Sequence, residues 1–450
     1  MVPVLKSSRS RGIYLQTSWR WLAAAAVLGL GLAAPNRAVA DGAFPDSTQI
    51  FVPADAPHRI ILATNFGLIV SDDDGATWEW SCEPRPDDNT ILYQKAASPS
   101  QRIFAVLIAH PMVYSDDLAC TWTASGGSLT SLVARDAFAD PTSADRVLAV
   151  AVPPTNVLQP SSVYRSTDGG LTFGASLISA PAGGDVLGVE NAVGDPATMY
   201  VAMYSTANNT LDPIFARSSD SGVTWSSTEL GPILGPATVR IIAVDPINPR
   251  QLFLRIGNPS GGEKLGVSMD GGLTITEPVS VDKQLTAFAR LASGTILVAG
   301  LDSKDNGVGF RSTDGGVTFV PWAKPPHLRA LAERDGKLYA AADNVLDLFA
   351  AGVSTDEGLT WEPLLTFDQV KRVKPCVKDV CQDTCETMFL LSQWPESVCG
   401  VDNDAGSTPM TMPKSGCGCR AAGDGGSGEA TVIITVVAAW LMSRHRRKRS

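Results

Sequence analysis

The chain has 450 residues, 44% of them hydrophobic, enough for one large repeat domain or two to three ordinary ones. Gly (41) and Pro (30) are abundant, which suits a turn-rich architecture. The formal charge is −10, but five Lys/Arg lie in the first forty residues and five in the last eight, with no acid in either, so the body stands at −20. Such a body argues against a nucleic acid or an anionic membrane face as its partner.

Residues 1–40 read as a signal peptide. Lys6, Arg9, Arg11 and Arg20 precede the short apolar run from Trp21 to Ala34, and Ala38-Val39-Ala40 forms an A-x-A cleavage site. The run is short for a permanent span. There is no adjacent Arg pair, which favours general export over a twin-arginine route.

From residue 41 to 368 one octapeptide recurs seven times: SDDDGATW at 71–78, SDDLACTW at 115–122, STDGGLTF at 166–173, SSDSGVTW at 218–225, SMDGGLTI at 268–275, STDGGVTF at 312–319 and STDEGLTW at 354–361. The copies start 44, 51, 52, 50, 44 and 42 residues apart. The Asp carboxylate can accept N–H groups of its own turn, and the Gly can take positive φ. The Thr and the aromatic residue suit the start of a strand. Asp73, Asp117, Asp168, Asp220, Asp270, Asp314 and Asp356 are therefore read as turn braces rather than acids of catalysis. The cluster Asp72, Asp73 and Asp74 leaves a calcium site open as the other reading. Ala119 replaces the Gly in the second copy, at a cost of roughly 1 kcal/mol if φ is positive there, and Ile275 replaces the ring in the fifth.

Between the octapeptides lie short apolar runs bounded by turns. In the fifth repeat Val239 to Val244 and Leu252 to Ile256 flank a DPINPR turn, followed by Leu265 to Ser268 and Leu273 to Val279. The seventh repeats the scheme with 328–332, 338–342, 349–354 and 360–365. Four strands per 40–50 residues predict an all-β fold, a seven-bladed β-propeller of four-stranded antiparallel blades, with a small Cys-rich module and a C-terminal anchor segment after it. The pattern S-x-D-x-G-x-T-W/F resembles the Asp-box, or BNR, repeat of the sialidase and sortilin-like propellers.

Residues 369–401 form the Cys-rich module. Cys376, Cys381, Cys385 and Cys399 are expected to make two disulfides there; zinc is the other chemistry open to four cysteines, though no His is near. Cys82 and Cys120, in neighbouring blades, are a further candidate pair. Residues 402–414 read as a linker. In 415–450, Cys417 and Cys419 precede a Gly-rich spacer, the thirteen mostly apolar residues Ala430 to Met442 and a basic tail. A helix of that length reaches only about 20 Å. This order resembles the C-terminal sorting signal of myxobacterial surface proteins, which implies a myxosortase-type sorting protease as a partner. The membrane is expected to be met through this segment only.

The Asp-box resemblance implies a scaffold shared by sialidases, other glycoside hydrolases, sortilin-like receptors and photosystem assembly factors, so it does not fix function. No R-I-P motif of the sialidase kind occurs; Arg59-Ile60-Ile61 is the nearest run. His58, His110, His327 and His445 show no metal spacing. No nucleophile elbow or phosphate loop is present. No cofactor and no catalytic residue are assigned. The reading is an exported, surface-anchored, non-catalytic propeller that binds a glycan or protein through its loops. The alternative is a glycan-active hydrolase on the same scaffold using two carboxylates.

The expected binding side follows from a four-stranded meander. Connections from second to third strand lie on the face opposite the octapeptides. In blades 3 to 6 they lengthen, at 153–160, 205–213, 257–263 and 301–307, and carry Asn156, Asn208, Asn209, Asp212, Asp302 and Asp305 as candidate ligand contacts.

Overall fold

The computed structural model describes residues 45–85, 89–154, 159–207 and 209–400. Residues 1–40, Asn156, Asn208, the linker at 402–414, Cys417 and Cys419 lie outside them. The chain divides into two units, Met1–Val401 and Asp402–Ser450, and only the first is described.

Seven antiparallel meanders form seven blades. Blade 1 contains Ser47–Phe51, Ile60–Thr64, Gly67–Ser71 and Glu79–Ser81; blade 7 contains Leu328–Arg334, Lys337–Ala342, Ala351–Ser354 and Glu362–Leu365. Blades 2 to 6 start at Thr90, Val133, Asp185, Thr238 and Gln284 and keep the same strand order. Among the described residues seven apolar clusters form, one at each boundary between neighbouring blades. First strands of neighbouring blades touch, so they are the innermost. Each first strand slips register by one residue, for example between Ala134 and Asp136, Val186 and Gly188, and Leu328 and Ala330. Such bulges bend and twist the strand where it must turn along the axis.

All seven octapeptides join third to fourth strands, and one hydrogen-bond scheme serves all of them. In the fifth, Ser268 Oγ accepts the Gly272 N–H (2.8 Å) and donates to Asp270 Oδ1 (2.9 Å). Asp270 then accepts Thr274 N–H at 2.9 Å and the Thr274 hydroxyl at 2.7 Å. The Ser–Asp and Asp–Thr bonds recur at Asp73, Asp117, Asp168, Asp220, Asp314 and Asp356. The Thr224 hydroxyl and N–H hold Asp220 down to about 2, and Thr360 does the same for Asp356. Two successive residues of each turn are left-handed. In the second copy these are Leu118 (φ 56°) and Ala119 (φ 68°), so the missing Gly is a strained position. The aromatic residue does not open the fourth strand as the sequence suggests. Trp78 and Trp225 fold back and donate to Gly75 and Gly222 carbonyls of their own turns. The fifth blade's last strand accordingly begins at Thr276, not Leu273.

Among the described residues no strand is exchanged between blades 1 and 7; each supplies its own four. Closure uses packing and a clasp. Ser47 Oγ donates to Ala350 O, Arg334 donates to Ala56 O (3.2 Å) and Arg59 O (2.7 Å), and Trp78 Nε1 reaches Leu364 O. After blade 7 the chain crosses to blade 1, where Arg372–Val373 adds a fifth, parallel strand beside Glu79–Ser81. The module that follows packs Trp394 against Trp80 and Phe66, with ring centroids 5.0 and 5.8 Å apart.

The disulfides correct the sequence expectation. Only Cys385–Cys399 lies within the module; Cys376 bonds Cys120 and Cys381 bonds Cys82. Cys82 and Cys120 are thus not partners of each other. The reason is the path of the chain: the module lies over the outer ends of blades 1 and 2, so Cys82, just after the fourth strand of blade 1, and Cys120, in the blade 2 octapeptide, each face it. The irregular second octapeptide is the one that carries this bond.

Candidate functional site

The three carboxylates at 72–74 diverge. Asp73 braces its turn, Asp72 pairs with Arg59 (2.5 Å) and Asp74 with His58 (2.6 Å). Among the described residues no group of three or more His, Cys, Asp or Glu side chains could share a metal ion.

Of the loop residues singled out from sequence, Asn209, Asp212, Asp302 and Asp305 are described. Asn209, left-handed at φ 56°, donates its N–H to Thr206 O. Asp212 opens the third strand of blade 4 and accepts the Thr210 hydroxyl. Asp302 Oδ1 accepts Lys304 N–H (2.8 Å) and Asn306 N–H (2.9 Å), which makes it a turn brace, and Asp305 pairs with Lys283. The ends of these connections are strand rather than loop. Ser205 pairs with Asp212, Gly257 with Glu263 and Leu301 with Gly307. The turns proper shrink to 206–211, 258–262 and 302–306.

A concave site does lie on that face, at the seam of blades 7 and 1. It is a cavity of about 520 Å³ lined by Pro45, Asp46, Asn65, Arg329, Asp343, Val345 and Leu346, within the range of small-ligand pockets. The blade 1 turn supplies Asn65, whose side chain accepts Asp46 N–H at 2.9 Å. The slipped register at the start of the blade 7 first strand supplies Arg329. Its guanidinium bridges Asp46 (2.8 Å) and Asp343 (3.0 Å). Burial pushes Asp46 above the usual carboxylate range, against the charge of Arg329. Asp343 Oδ1 also accepts the N–H groups of Val345 and Leu346, so the loop is held open with both aliphatic side chains exposed, Leu348 beside them. The sequence offered one sign of this site: an eight-residue connection, 343–350, carrying Val345, Leu346 and Leu348 where a polar turn is the norm.

Two acids on the innermost strands also stand out. Burial pushes Asp136 up to about 7, opposed by the Ala137 N–H, the charge of Arg240 and the Val189 N–H. Burial pushes Glu190 up to about 8, the Asp136 charge adding to it, and Val244 N–H donates to it at 3.1 Å. Each acid therefore caps an N–H of the next blade's first strand, an edge whose backbone groups lack a further strand to pair with. Gln49 does the same between blades 1 and 2, accepting Tyr93 N–H (2.7 Å) and donating to Tyr93 O (2.9 Å).

No protein-family profile matches the chain, and no curated protein matches it. Solved structures similar to it include a GH74 xyloglucanase from Xanthomonas campestris (12% identity, TM-score 0.38, covering 74% of this chain and 59% of that one). YCF48 from Cyanidioschyzon merolae is similar at 14% identity and TM-score 0.43, covering 66% of this chain and 92% of that one. A lectin from Burkholderia pseudomallei shows 14% identity and TM-score 0.43, with 71% and 98% covered. The chain spans about three-fifths of the xyloglucanase's length.

Proposed function

We propose that the chain is an exported propeller of the Asp-box kind, held at the cell envelope through its C-terminal segment, which binds a partner at the seam pocket without catalysis. The carrying observation is that pocket. Its one guanidinium is locked between two carboxylates, and two exposed aliphatic residues stand at its rim. Groups paired in this way recognise shape and charge. Convergent polar groups beside apolar rim residues suit an interaction site. Val345 and Leu346, the aliphatic residues of its rim, suit a polypeptide segment with an apolar side chain.

The test is a screen of the purified protein against a peptide library and a glycan array, repeated with Val345→Ser/Leu346→Ser. Peptide binders lost in the variant at unchanged Tm support the reading. Binders indifferent to the change, but lost on substitutions in the octapeptide turns, would reverse the assignment of the face.

The hydrolase reading has one observation in its favour: Asp136 and Glu190 are both pushed toward neutrality, as a protonated acid of a glycosidase would need. Their backbone hydrogen bonds favour bracing instead. Polysaccharide hydrolysis that vanishes in Asp136→Asn and Glu190→Gln would decide for the enzyme.

A further inference from the structure

Arginines recur beside the octapeptide turns, and most meet an acid there. In blades 1 and 2 an arginine stands immediately before the second strand, and the second octapeptide residue of the same blade is an acid that pairs with it: Arg59 with Asp72 (2.5 Å) and Arg102 with Asp116 (2.7 Å). In blade 6 the arginine just before the octapeptide Ser, Arg311, pairs with Glu357, the fourth octapeptide residue of blade 7. Blade 3 has an arginine at both places, Arg146 and Arg165, and meets neither acid. Thr167 holds the second octapeptide place, and Ser221 holds the fourth place in blade 4. Arg165 Nη1 donates to the Ser221 carbonyl instead.

The two guanidinium groups line one cavity of about 270 Å³ between blades 3 and 4, on the octapeptide face. Strand register sets both walls. Arg165 pairs with Leu148 on blade 3, and Arg146, two residues before Leu148, shares its side. Asn191 pairs with Met199 on blade 4. Leu148 and Met199 belong to the apolar cluster of this boundary, so the cavity has an apolar floor beneath a polar rim. Among the described residues that line it none is an acid. Asp140 lies behind Arg146, its side chain wholly buried. Its Oδ2 accepts Arg146 Nε–H (2.8 Å) and the Asn191 amide (2.9 Å), and its Oδ1 accepts the Thr142 N–H and hydroxyl. Of the acids next in sequence to lining residues, Asp168, Asp195 and Asp220 accept the hydroxyls of Thr172, Thr198 and Thr224, Glu190 caps Val244 N–H of blade 5, and Asp145 is exposed. Two guanidinium groups set against one paired carboxylate leave the lining an excess of one positive charge, oriented by the Asp140 and Ser221 bonds.

We propose that this groove binds a small carboxylate with an apolar body, the carboxylate on Arg146 and Arg165 and the body on Leu148 and Met199. The guanidinium fork matches a carboxylate in shape and charge, and a volume just under the usual range of about 300–1,000 Å³ suits a small molecule. The site lies on the face opposite the seam pocket and does not depend on the reading of that pocket.

The test is calorimetric titration of the purified protein with benzoate, with benzamide as its neutral counterpart, and with inorganic phosphate as an anion lacking an apolar body. Benzoate is expected to bind, more weakly as salt is raised, and benzamide to bind at least about tenfold more weakly. Thr167→Asp and Ser221→Glu give the groove the acids that blades 2 and 7 carry at those places, and each should raise the benzoate Kd about tenfold or more. Both should keep the parent Tm, since Thr167 is exposed and Ser221 (φ 60°) shares its backbone conformation with Glu357 (φ 55°). Thr313→Asp, the same change in blade 6, and Val345→Ser/Leu346→Ser at the seam should leave benzoate binding unchanged. Absence of benzoate binding, or benzamide or phosphate binding as tightly as benzoate, overturns the proposal. So does an affinity that survives both acid variants, or one that falls equally in Thr313→Asp.

Discussion

Removing the clasp should loosen the ring by an amount the chain topology sets. The Cys82–Cys381 bond closes a loop of 299 residues, for which the chain-entropy expression gives about 5–6 kcal/mol. Cys120–Cys376 spans 256 residues by itself. With the first bond in place, however, it closes only the 38 residues from Cys82 to Cys120 and the five from Cys376 to Cys381, worth about 4 kcal/mol. The double variant Cys82→Ser/Cys381→Ser therefore costs less than the first figure, because Cys120–Cys376 still shuts nearly the same loop. The expected loss is about 4 kcal/mol, and reducing all three bonds should cost at least twice that. For a domain of this size, with an unfolding entropy of about 0.7 kcal/mol/K, 4 kcal/mol is a fall in Tm of about 6 °C. The assay is a thermal melt of the parent and of both serine pairs, each with and without a reducing agent. If both pairs are changed together and the melt moves by less than about 1 °C, the closure argument is wrong and packing across the boundary suffices.

Ser268→Ala leaves the Gly272 N–H without an acceptor and should cost about 1–3 kcal/mol in urea titrations, whereas Thr274→Val, at an exposed hydroxyl, should cost less than about 1; equal losses would refute the assigned roles. Asp136 and Glu190 have folded values raised to about 7 and about 8, so their contribution is full at acid pH and is lost as pH rises through those values, a fall of a few kcal/mol in total. The urea midpoint should drop between pH 5 and pH 9 in the parent and stay nearly flat in Asp136→Asn/Glu190→Gln; the same drop in both would exclude these acids as its source. Mass spectrometry of the protein from its native membrane should show the chain cut near Cys417 and Cys419, and an intact terminus at Ser450 would end the sorting proposal.

The blades were legible because the octapeptide is a local device: Ser, Asp, Gly and Thr bond within one turn, so their spacing reports the fold directly. The closure was not, because it depends on where the chain goes after Leu365, and no local pattern says that it crosses to blade 1. One residue did carry a hint. Cys120 stands in the octapeptide that lacks its Gly, and a turn that tolerates the left-handed Ala119 is one stapled from outside. The seam pocket was hidden for a related reason, since Asp46 and Arg329 lie 283 residues apart. Nothing local in the sequence marks Asp136 and Glu190; only the neighbouring blade shows which N–H groups they meet. In blades 4 to 6 the ends of the long connections pair as hairpin, Ser205 with Asp212, Gly257 with Glu263 and Leu301 with Gly307, which only the backbone register shows.

The central structural claim is that the ring is shut from outside by the module, with no strand exchanged among the described residues. Disulfide mapping by non-reducing proteolysis and mass spectrometry tests it most directly. The account predicts linked peptides for Cys82–Cys381, Cys120–Cys376 and Cys385–Cys399. A Cys82–Cys120 peptide, or Cys376 and Cys381 bonded only within the module, would contradict it.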